Sequence, residues 1–459
     1  MPQHFDAIVI GTGQSGPSLA ARLVREGHKT AILERKRFGG TCVNVGCIPT
    51  KALVASARTA HVARRAADFG VRVGGPVAVD MPAVKARKDA IVRQSSEGVT
   101  RWLKEMEGLT VIEGHGRFTA PHRVAVNGTE LEAPRIFINV GARAFVPPIP
   151  GIDQVDYLTN TSMMDVDFVP EHLIIVGGSY IGLEFGQMYR RFGSRVTIVE
   201  QAERLIGRDD EDVSAAVKEI LAGEEVDVRL GAKVAGVEPR AGGVRVRLEG
   251  PDGPAEPAGS HLLVAVGRRP NTDDLGLDAA GIATDPRGFI QVDDQLQTSV
   301  EGNWAIGDCN GLGAFTHTSY NDFEIVAANL FDGDPRCVSD RIVTYGLFID
   351  PPLGRAGLTE REVRASGRPA LIGRMPMTRV GRARERGETQ GFMKVLVDAE
   401  SRQILGAAIL GIGGDEVVHL LLDAMYAKAP YTVVQRAVHI HPTVAELVPT
   451  LLGDLKPLT

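Results

Sequence analysis

Two cysteines, Cys42 and Cys47, point most directly to chemistry in this chain of 459 residues. They lie five positions apart in the segment GGTCVNVGCIPTK, and Pro49 falls where the first turn of a helix tolerates proline. A helix N-terminus and the nearby Lys51 both favour a thiolate, so both lower the pKa of a thiol placed there. We therefore predict a pair competent for thiol–disulfide exchange. A zinc site is disfavoured because no second ligand pair stands at zinc-finger spacing.

A glycine-rich loop near the N-terminus predicts a phosphate-binding turn. The sequence GTGQSG follows an apolar strand pattern and opens an amphipathic helix pattern. Gly11 permits the tight turn, Gly13 allows the backbone to approach a pyrophosphate, and Gly16 allows close packing of helix on strand. Glu34 ends the next strand pattern, at the distance expected of a carboxylate that binds a ribose. This segment is predicted to bind a dinucleotide.

The same pattern occurs a second time. Residues 172–200 align without a gap with residues 6–34, each reading strand, glycine turn, helix and strand ending in glutamate. In the second copy Gly177 and Gly182 hold the outer positions of the loop, and Ser179 replaces the middle glycine. Two such units predict two dinucleotides, or one cofactor and one cosubstrate.

Glu200 ends the second copy, as Glu34 ends the first. A carboxylate there suits a ribose 2′-hydroxyl and repels a 2′-phosphate, so NADH is expected to be favoured over NADPH. Two arginines that follow either weaken this preference by binding a phosphate or, as the sequence favours, are solvated surface charges: Arg204 and Arg208.

The remaining periodicities indicate the elements that position these residues. Helical spacing covers residues 49–70 and 81–106, and alternating patterns at 123–126 and 135–140 predict antiparallel strands. A proline-rich linker covers residues 147–151. The later strand patterns are 244–248, 262–266, 371–375, 391–397 and 404–410, and the later helices start near Thr318 and cover 416–427 and 444–452.

Composition excludes several classes of protein. The net charge of −6 argues against nucleic-acid binding, and no apolar run reaches the ~18 residues that a membrane span needs. The first residues do not resemble a secretory signal, so a cytoplasmic protein is expected. Four cysteines are too few for a secreted disulfide scaffold, and Cys309 and Cys337 are expected to be small buried residues.

Taken in order, the motifs resemble one family over essentially the whole chain. The glycine loop, GGTCVNVGCIPTK, the second unit, AIGDC and HIHPTVAE are similar to the class I pyridine nucleotide-disulfide oxidoreductases. That family includes dihydrolipoamide dehydrogenase, glutathione reductase and mercuric reductase. The resemblance implies FAD at the first loop and NAD(P)H at the second. It also implies that Cys47 is the charge-transfer thiol against the flavin and Cys42 the thiol that attacks substrate.

The resemblance assigns further residues around the flavin and the nicotinamide. Lys51 and Glu184 match an ion pair beside the flavin, and Tyr180 matches an aromatic gate over the nicotinamide pocket. Gly307 and Asp308 match a second FAD motif. Further cofactor-binding candidates are Thr41, Gly141 and Gly267. No resident metal site is expected.

His441 and Glu446 match an acid–base dyad that the family supplies from the partner subunit of a homodimer. A histidine activates or protonates a thiol, and a carboxylate fixes its tautomer. His439 is the alternative base, but the sequence His-Pro-Thr-x-x-Glu favours His441. A homodimer with a shared active site is therefore expected.

Departures from the family's patterns bear on the electron acceptor. The last residues, GDLKPLT, lack the vicinal cysteine pair of typical mercuric reductases, and no N-terminal metal-binding domain is apparent. Residues 315–322 differ from dihydrolipoamide dehydrogenase and, with residues 137–152, look more like mercuric-reductase-like flavoproteins. Reduction of a thiophilic metal ion or a small disulfide is expected. The alternatives are dihydrolipoamide dehydrogenase and, more remotely, a non-enzymatic flavin redox sensor.

One basic cluster stays open between two interpretations. Four arginines follow one another closely and form either a solvated edge or a site that orients an anionic substrate: Arg379, Arg382, Arg384 and Arg386.

We therefore predict an α/β fold with two Rossmann-type dinucleotide-binding domains and a C-terminal α+β dimerisation domain. The expected boundaries are 1–150 and 271–338 for the two parts of the FAD domain, 151–270 for the NAD(P) domain and 339–459 for the C-terminal domain.

Overall fold

The computed structural model describes residues 1–251 and 253–458. Its first layer is a five-stranded parallel sheet that begins with the buried run Ala7–Ile10. Because both faces of this sheet are covered, its strands are continuous apolar runs rather than alternating ones. The strand order across the sheet is Asn303–Ala305, Arg135–Ile138, Ala7–Ile10, Thr30–Glu34 and Leu109–Glu113.

Four helices accompany this sheet and carry most of the residues of interest. Ser15–Arg25 follows the first glycine loop, and Arg22 and Arg25 in its last turn complement the negative end of the helix dipole. Asp80 caps the long helix through a hydrogen bond from the Ala83 N–H. The helices are Ser15–Arg25, Cys47–Arg64, Met81–Lys104 and Thr316–Ala327.

A second five-stranded parallel sheet repeats the first. Its central strand, His172–Val176, is buried throughout and pairs on both sides with parallel neighbours. The strand order is Tyr157–Leu158, His261–Val264, His172–Val176, Arg195–Val199 and Asp227–Arg229. The helices of this unit are Tyr180–Phe192 and Glu211–Gly223.

The C-terminal part is built on a six-stranded antiparallel sheet. One face packs against the helix Gly414–Tyr426, whose buried residues Val418 and Leu421 join the core of this part. The strand order is Thr344–Leu347, Leu353–Gly357, Ile404–Leu410, Phe392–Asp398, Ala370–Pro376 and Lys456–Pro457.

Shorter elements complete the fold. The small sheets contain Gln3–His4, Thr129–Glu132, Arg123–Val126 and Arg117–Ala120; Lys233–Arg240, Gly243–Glu249 and Ala258–Gly259; and Arg268–Pro270 with Ala142–Ala144. The short helices are Gly40–Asn44, Leu277–Ala280, Glu360–Ala365, Gly381–Glu385, Thr432–Gln435 and Val448–Gly453.

The predicted α/β fold with parallel sheets is confirmed, and one strand prediction is wrong. The strand at residues 135–140 is not antiparallel: Arg135–Ile138 lies inside the first parallel sheet, between Ala7–Ile10 and Asn303–Ala305. Ile136, Phe137 and Ile138 are all buried, as a strand covered on both faces requires.

The helix limits also shifted from the predicted ones. The helix expected at residues 49–70 begins earlier, at Cys47, and ends at Arg64. The helix expected from about Thr318 begins two residues earlier, at Thr316. The predicted helix 444–452 contains a 3-10 turn, Ala445–Leu447, followed by Val448–Gly453. The first two shifts place Cys47 and Thr316, whose side chains contact each other, at the helix starts.

Cys309 is fully buried, as expected, but the expectation for Cys337 is wrong. Cys337 is half-exposed because it opens a surface turn, in which its N–H donates to Asp340. Among the helices of residues 1–251 and 253–458, none is both long and apolar enough to span a bilayer.

Candidate active site

A large cleft brings together residues from all three parts of the chain. Its volume is about 1450 Å³, above the 300–1,000 Å³ typical of a pocket for one small ligand. Such a size suits an extended molecule. The sequence-predicted residues that line it are Gly11, Gly13, Glu34, Thr41, Cys42, Cys47, Lys51, Gly141, Tyr180, Glu184 and Asp308.

The first glycine loop forms one end of the cleft. Gly11 has a φ of +108°, and a Cβ there would lie 2.3 Å from the Asn139 carbonyl oxygen. A Cβ on Gly16 would lie 2.3 Å from the Gly11 carbonyl oxygen. No side chain caps the helix Ser15–Arg25 that follows, so its N-terminus is suited to bind an anion at this end of the cleft.

Glu34 is held beside this loop by its own hydrogen bonds. Its Oε2 accepts from the Thr12 N–H at 3.1 Å and the Thr12 hydroxyl at 2.5 Å, and Oε1 accepts from the Lys36 N–H at 2.8 Å. Glu34 therefore orders the phosphate-binding turn and also lines the cleft.

The two cysteines lie at the junction of two helices. Cys42 is on the short helix Gly40–Asn44, and Cys47 is the first residue of Cys47–Arg64. Both are free thiols in this structure. The Sγ of Cys47 lies 3.0 Å from the hydroxyl of Thr316, which is the first residue of another helix, Thr316–Ala327.

These surroundings polarise the pair. A hydrogen bond from the Cys42 thiol, opposed by burial and assisted by the Thr316 hydroxyl and the Lys51 charge, lowers the pKa of Cys47 to about 6. The same hydrogen bond, together with burial, raises the pKa of Cys42. Near neutral pH the reduced site therefore combines a thiolate at Cys47 with a thiol at Cys42.

Lys51 is fixed beside the cysteines by residues from the other parts of the chain. Its Nζ lies 2.5 Å from Glu184 Oε2 and 4.4 Å from the centre of the Phe348 ring. Glu184 Oε1 accepts the Phe348 N–H at 3.0 Å. The lysine charge is thus held in the cleft by the second nucleotide unit and the C-terminal part together.

Asp308 lies in the cleft wall opposite an arginine. Its Oδ2 is 3.2 Å from the guanidinium of Arg268, whose Nε is buried without a hydrogen-bond partner among the described residues. Burial raises the pKa of Asp308. Gly307 lies behind it, and its N–H donates to the buried Asp322 at 2.8 Å.

The second glycine loop repeats the geometry of the first. A Cβ on Gly182 would lie 2.0 Å from the Gly177 carbonyl oxygen. Glu200 Oε2 accepts the Gly178 N–H at 2.7 Å, as Glu34 accepts from Thr12. Tyr180 follows this loop and reaches the cleft, and Gly267 precedes Arg268 with a φ of +141°.

The predicted dyad is formed, but away from the cleft of its own chain. His441 Nδ1 lies 2.8 Å from Glu446 Oε2, and the His441 side chain is 82% exposed. Within residues 1–251 and 253–458, the cleft lining does not include either residue. His439 lies instead near the Ala437 carbonyl, which favours His441 over the alternative base.

One member of the arginine cluster has a specific contact. Arg382 donates to the Pro442 carbonyl oxygen from Nη2 at 2.5 Å and from Nε at 3.2 Å. Arg382 therefore stabilises the turn that carries His441. This role differs from both of the interpretations that the sequence left open, a solvated edge and a contact with substrate. Three others are exposed, as a solvated edge requires: Arg379, Arg384 and Arg386.

Several cleft residues were missed by sequence reasoning. Thr316 contacts the Cys47 sulfur, Phe348 contacts Lys51, and Phe315 and Tyr345 stack beside Tyr180. The sequence signal nearest to Thr316 is the predicted helix start near Thr318, after the AIGDC motif. Tyr345 lies on the strand Thr344–Leu347 of the C-terminal part, Phe348 directly follows that strand, and no local pattern marks either residue.

The residues fit a flavin dinucleotide. The uncapped helix N-terminus at Gly11–Gly16 suits a pyrophosphate, Glu34 a ribose, and Lys51 with the cysteines a redox-active ring. The buried, unpartnered Nε of Arg268 near Asp308 supplies a further donor in the cleft wall.

Comparisons with known proteins identify the family of this chain. Residues 5–323 match the family described as pyridine nucleotide-disulphide oxidoreductase, and residues 343–452 match its dimerisation domain. The chain belongs to the class I pyridine nucleotide-disulfide oxidoreductase family. Members of this family are FAD-dependent enzymes with NAD(P)H as electron donor and a redox-active disulfide.

Individual relatives match over nearly the whole chain. The probable pyridine nucleotide-disulfide oxidoreductase RclA of Escherichia coli is 35% identical, covering 98% of this chain and 99% of that protein. A dihydrolipoyl dehydrogenase of Haloferax volcanii and a mercuric reductase of Streptomyces lividans are each 34% identical, each covering 96% of this chain and 94% of the relative. A solved structure of HOCl-induced flavoprotein disulfide reductase RclA, as a Cu(II) complex, aligns with a TM-score of 0.90 at 34% identity, over 98% of this chain and all of that one.

Proposed function

We propose that this enzyme uses NAD(P)H to reduce the Cys42–Cys47 disulfide and that the resulting dithiol reduces a thiophilic metal ion or a small disulfide. The observation that carries the proposal is the thiol pair in the cleft, with a lowered pKa at Cys47 and a protonated neighbour at Cys42. FAD, when bound, supplies electron transfer between the nicotinamide and the disulfide.

The two half-reactions balance in electrons and protons. NAD(P)H, one proton and the disulfide give NAD(P)⁺ and two thiols, of which Cys47 readily loses its proton to the medium. The dithiol returns to the disulfide by giving one electron to each of two Cu(II) ions and releasing two protons. With a small disulfide as acceptor, the deprotonated sulfur of Cys42 attacks one acceptor sulfur, forms a mixed disulfide and releases the first acceptor thiol. The Cys47 thiolate then attacks the Cys42 sulfur, which restores the Cys42–Cys47 disulfide and releases the second thiol. We assign proton transfer at Cys42 to His441 of the partner subunit, held in its tautomer by the partner subunit's Glu446.

Two arguments support a metal ion as acceptor. Thiolates are soft ligands that select soft or reducible metals such as copper and mercury. The relative RclA, to which this chain is 34% identical, has been solved as a Cu(II) complex. Among residues 1–251 and 253–458 no cluster of three histidine, cysteine, aspartate or glutamate side chains is arranged to hold a metal. We assign the metal as a substrate of the cysteines because these soft sulfur ligands lie in the cleft.

Dihydrolipoamide dehydrogenase is the alternative function. It is supported by relatives of that name at 34% identity. It would run the same electron path in the opposite direction, from a dithiol substrate to NAD⁺. The cytoplasmic location inferred from the sequence stays a prediction.

The deciding experiment compares kcat/KM of the purified holoenzyme for Cu(II), Hg(II), glutathione disulfide and dihydrolipoamide. We expect the highest value for a metal ion or glutathione disulfide. Cys42→Ser is expected to abolish turnover of each, while Cys337→Ser, a half-exposed cysteine outside the cleft, keeps it. A dihydrolipoamide value far above the others would establish the alternative.

A further inference from the structure

A group of four rings, here called the aromatic stack, lies in the cleft and consists of Tyr180, Phe315, His317 and Tyr345. Phe315 is its centre: its ring lies 5.7 Å from Tyr345 at an interplanar angle of 3°, and 5.4 Å from His317 at 11°. Tyr180 leans on Phe315 at 5.4 Å and 42°. The order of contacts therefore runs from Tyr345 through Phe315 to Tyr180.

The stack joins three separate parts of the fold. Tyr180 is the first residue of the helix after the second glycine loop, and Phe315 immediately precedes the helix that begins at Thr316. Tyr345 lies on the strand Thr344–Leu347 of the C-terminal sheet. A movement of Tyr180 is thus resisted by a ring that is itself held by the C-terminal part.

Tyr345 is anchored at its far end by a buried carboxylate. Its hydroxyl donates to Asp209 Oδ2 at 2.7 Å. Asp209 and its ion-pair partner Arg355 are each 2% exposed, with Oδ1 and Nε 3.5 Å apart. Asp209 Oδ1 and Arg355 Nη2 have no hydrogen-bond partner among the described residues. Among the described residues, the Tyr345 hydroxyl is therefore the hydrogen-bond donor to the Asp209 carboxylate.

Further ion pairs fix the segment that carries Asp209. The ammonium of Lys394, which is 2% exposed, lies 2.7 Å from Asp210 Oδ2 and 2.9 Å from Asp212 Oδ1. Burial, followed by the Asp209 charge, raises the pKa of the Tyr345 phenol, so Tyr345 stays a donor at all ordinary pH values. The segment that carries Asp209 belongs to the second nucleotide unit, and buried ion pairs join it to the C-terminal part.

We propose that Tyr345 is a positioning residue, anchored by Asp209, that holds Phe315 against Tyr180 and so sets how readily Tyr180 moves aside for the nicotinamide. The proposal rests on the proposed function and on the resemblance by which the second glycine loop is expected to bind NAD(P)H and Tyr180 to cover the nicotinamide pocket. The new feature is a restraint from the C-terminal sheet: Tyr345 holds Tyr180, through Phe315, in the position that closes the nicotinamide pocket.

A restraint on the closed position has two consequences. For a ligand that binds only the open position, the apparent Kd is the intrinsic Kd divided by the fraction of molecules that are open. Loosening the restraint raises that fraction and therefore strengthens binding. The closed position also keeps water and dissolved oxygen from the cleft when no nucleotide is bound. Loosening it is expected to raise the side reaction in which NADH, one proton and O₂ give NAD⁺ and hydrogen peroxide.

The test uses the holoenzyme with Tyr345→Phe, which keeps the ring and removes the hydroxyl, and Asp209→Asn, which keeps the size and replaces the charged acceptor by a neutral one that binds the hydroxyl more weakly. We expect the Kd of NAD⁺, measured by titration calorimetry on the oxidised enzyme, to fall about threefold to tenfold in each variant. Peroxide formation from NADH should rise by a similar factor. Tyr320→Phe is the matched control, since this exposed tyrosine packs on Phe323 outside the stack.

A double variant separates positioning from general stability. If the hydroxyl and the carboxylate act through their shared hydrogen bond, Tyr345→Phe with Asp209→Asn has the same Kd as the stronger single variant rather than the product of the two effects. A lowered Tm with wild-type Kd and wild-type peroxide formation would reduce Tyr345 to a structural role and overturn the proposal. Multiplicative effects in the double variant would also overturn it.

The proposed function and the positioning role of Tyr345 can be refuted separately. A wild-type holoenzyme that binds neither NADH nor NADPH would overturn the proposed function, and this proposal with it. A wild-type enzyme that binds and oxidises NAD(P)H, beside a Tyr345→Phe variant that is indistinguishable from it, would overturn this proposal alone.

Discussion

The charge on the Cys47 sulfur depends on a few neighbouring atoms. The Cys42 thiol, the Thr316 hydroxyl and the Lys51 ammonium all favour the thiolate, while burial opposes it. Thr316 and Cys47 each begin a helix, so two helix N-termini meet at this sulfur. A thiolate there is stabilised by its hydrogen bonds and by both helix dipoles.

Replacing Thr316 with valine is expected to raise the pKa of Cys47. A hydrogen bond to a charged group contributes about 1.5–3 kcal/mol, which corresponds to about one to two pKa units. The pKa follows from the long-wavelength thiolate–flavin absorption of the two-electron-reduced holoenzyme. In the wild type this band should fade as the pH drops through about 6, and in Thr316→Val it should fade at higher pH.

Thr316→Ser is the control for this substitution because it keeps the hydroxyl. Its titration should follow that of the wild type. If valine and serine variants titrate together, the hydroxyl does not hold the thiolate, and the Cys42 thiol with Lys51 accounts for the lowered pKa of Cys47.

Glu200 is expected to set the preference for NADH. Its Oε2 accepts the Gly178 N–H of the second loop at 2.7 Å, and its Oε1 accepts the Ala202 N–H at 2.8 Å. Arg204, the nearest candidate to bind a 2′-phosphate, already donates to the Gly207 carbonyl and Glu211. A carboxylate opposed to a phosphate should favour NADH by about tenfold or more in kcat/KM, which is about 1.4 kcal/mol or more.

Glu200→Gln should reduce this preference, since it keeps an acceptor oxygen and removes the charge. Glu203→Gln, an exposed neighbour, should leave it unchanged. Equal kcat/KM for NADH and NADPH in the wild type would refute the argument at its first step.

At the level of elements, each glycine loop is expected to bind one of the two nucleotides. A substitution in one loop should therefore disrupt one site and leave the other intact. A Cβ at Gly16 or at Gly182 would overlap a carbonyl oxygen of its own loop, at 2.3 Å and 2.0 Å respectively. Gly16→Ala is therefore expected to lower the FAD content of the purified protein. Gly182→Ala is expected to retain FAD, which dithionite still reduces, and to lose reduction by NADH.

Gly98→Ala provides the control for these two variants. Gly98 lies in the helix Met81–Lys104, and a Cβ there meets nothing within 4 Å. It should keep both nucleotides and gain about 0.5–1 kcal/mol in the free energy of unfolding, because alanine suits a helix interior better. Loss of FAD in Gly182→Ala would show that the loops are not independent.

The internal repeat explains why so much of the fold follows from the sequence. Residues 6–34 and 172–200 each contain a complete local unit, so strand, turn and helix could be predicted from one pattern. The strand Arg135–Ile138 was misjudged because its parallel neighbours come from distant segments. Thr316, Phe348 and Tyr345 escaped prediction for the same reason: their partners lie more than 130 positions away.

On the scale of the whole molecule, the His441–Glu446 pair is formed within a single subunit. Arg382 braces the Pro442 carbonyl, Thr443 donates to the Ile440 carbonyl at 2.7 Å, and Glu446 holds His441. Beside this turn, Val438 is fully exposed and Ile440 is 80% exposed. Exposed apolar side chains next to an ordered polar pair are typical of a surface that another subunit covers.

If the partner's His441 completes each cleft, two inactive variants should restore activity in a mixed dimer. Cys42→Ser lacks the attacking thiol, and His441→Ala lacks the base. A heterodimer of the two has one site with both defects and one site with neither. Random exchange places half of the subunit pairs in heterodimers, so about one quarter of wild-type activity is expected. Differently tagged chains, confirmed to have exchanged, allow the measurement. Exchange without recovery of activity would show that His441 does not act across the dimer.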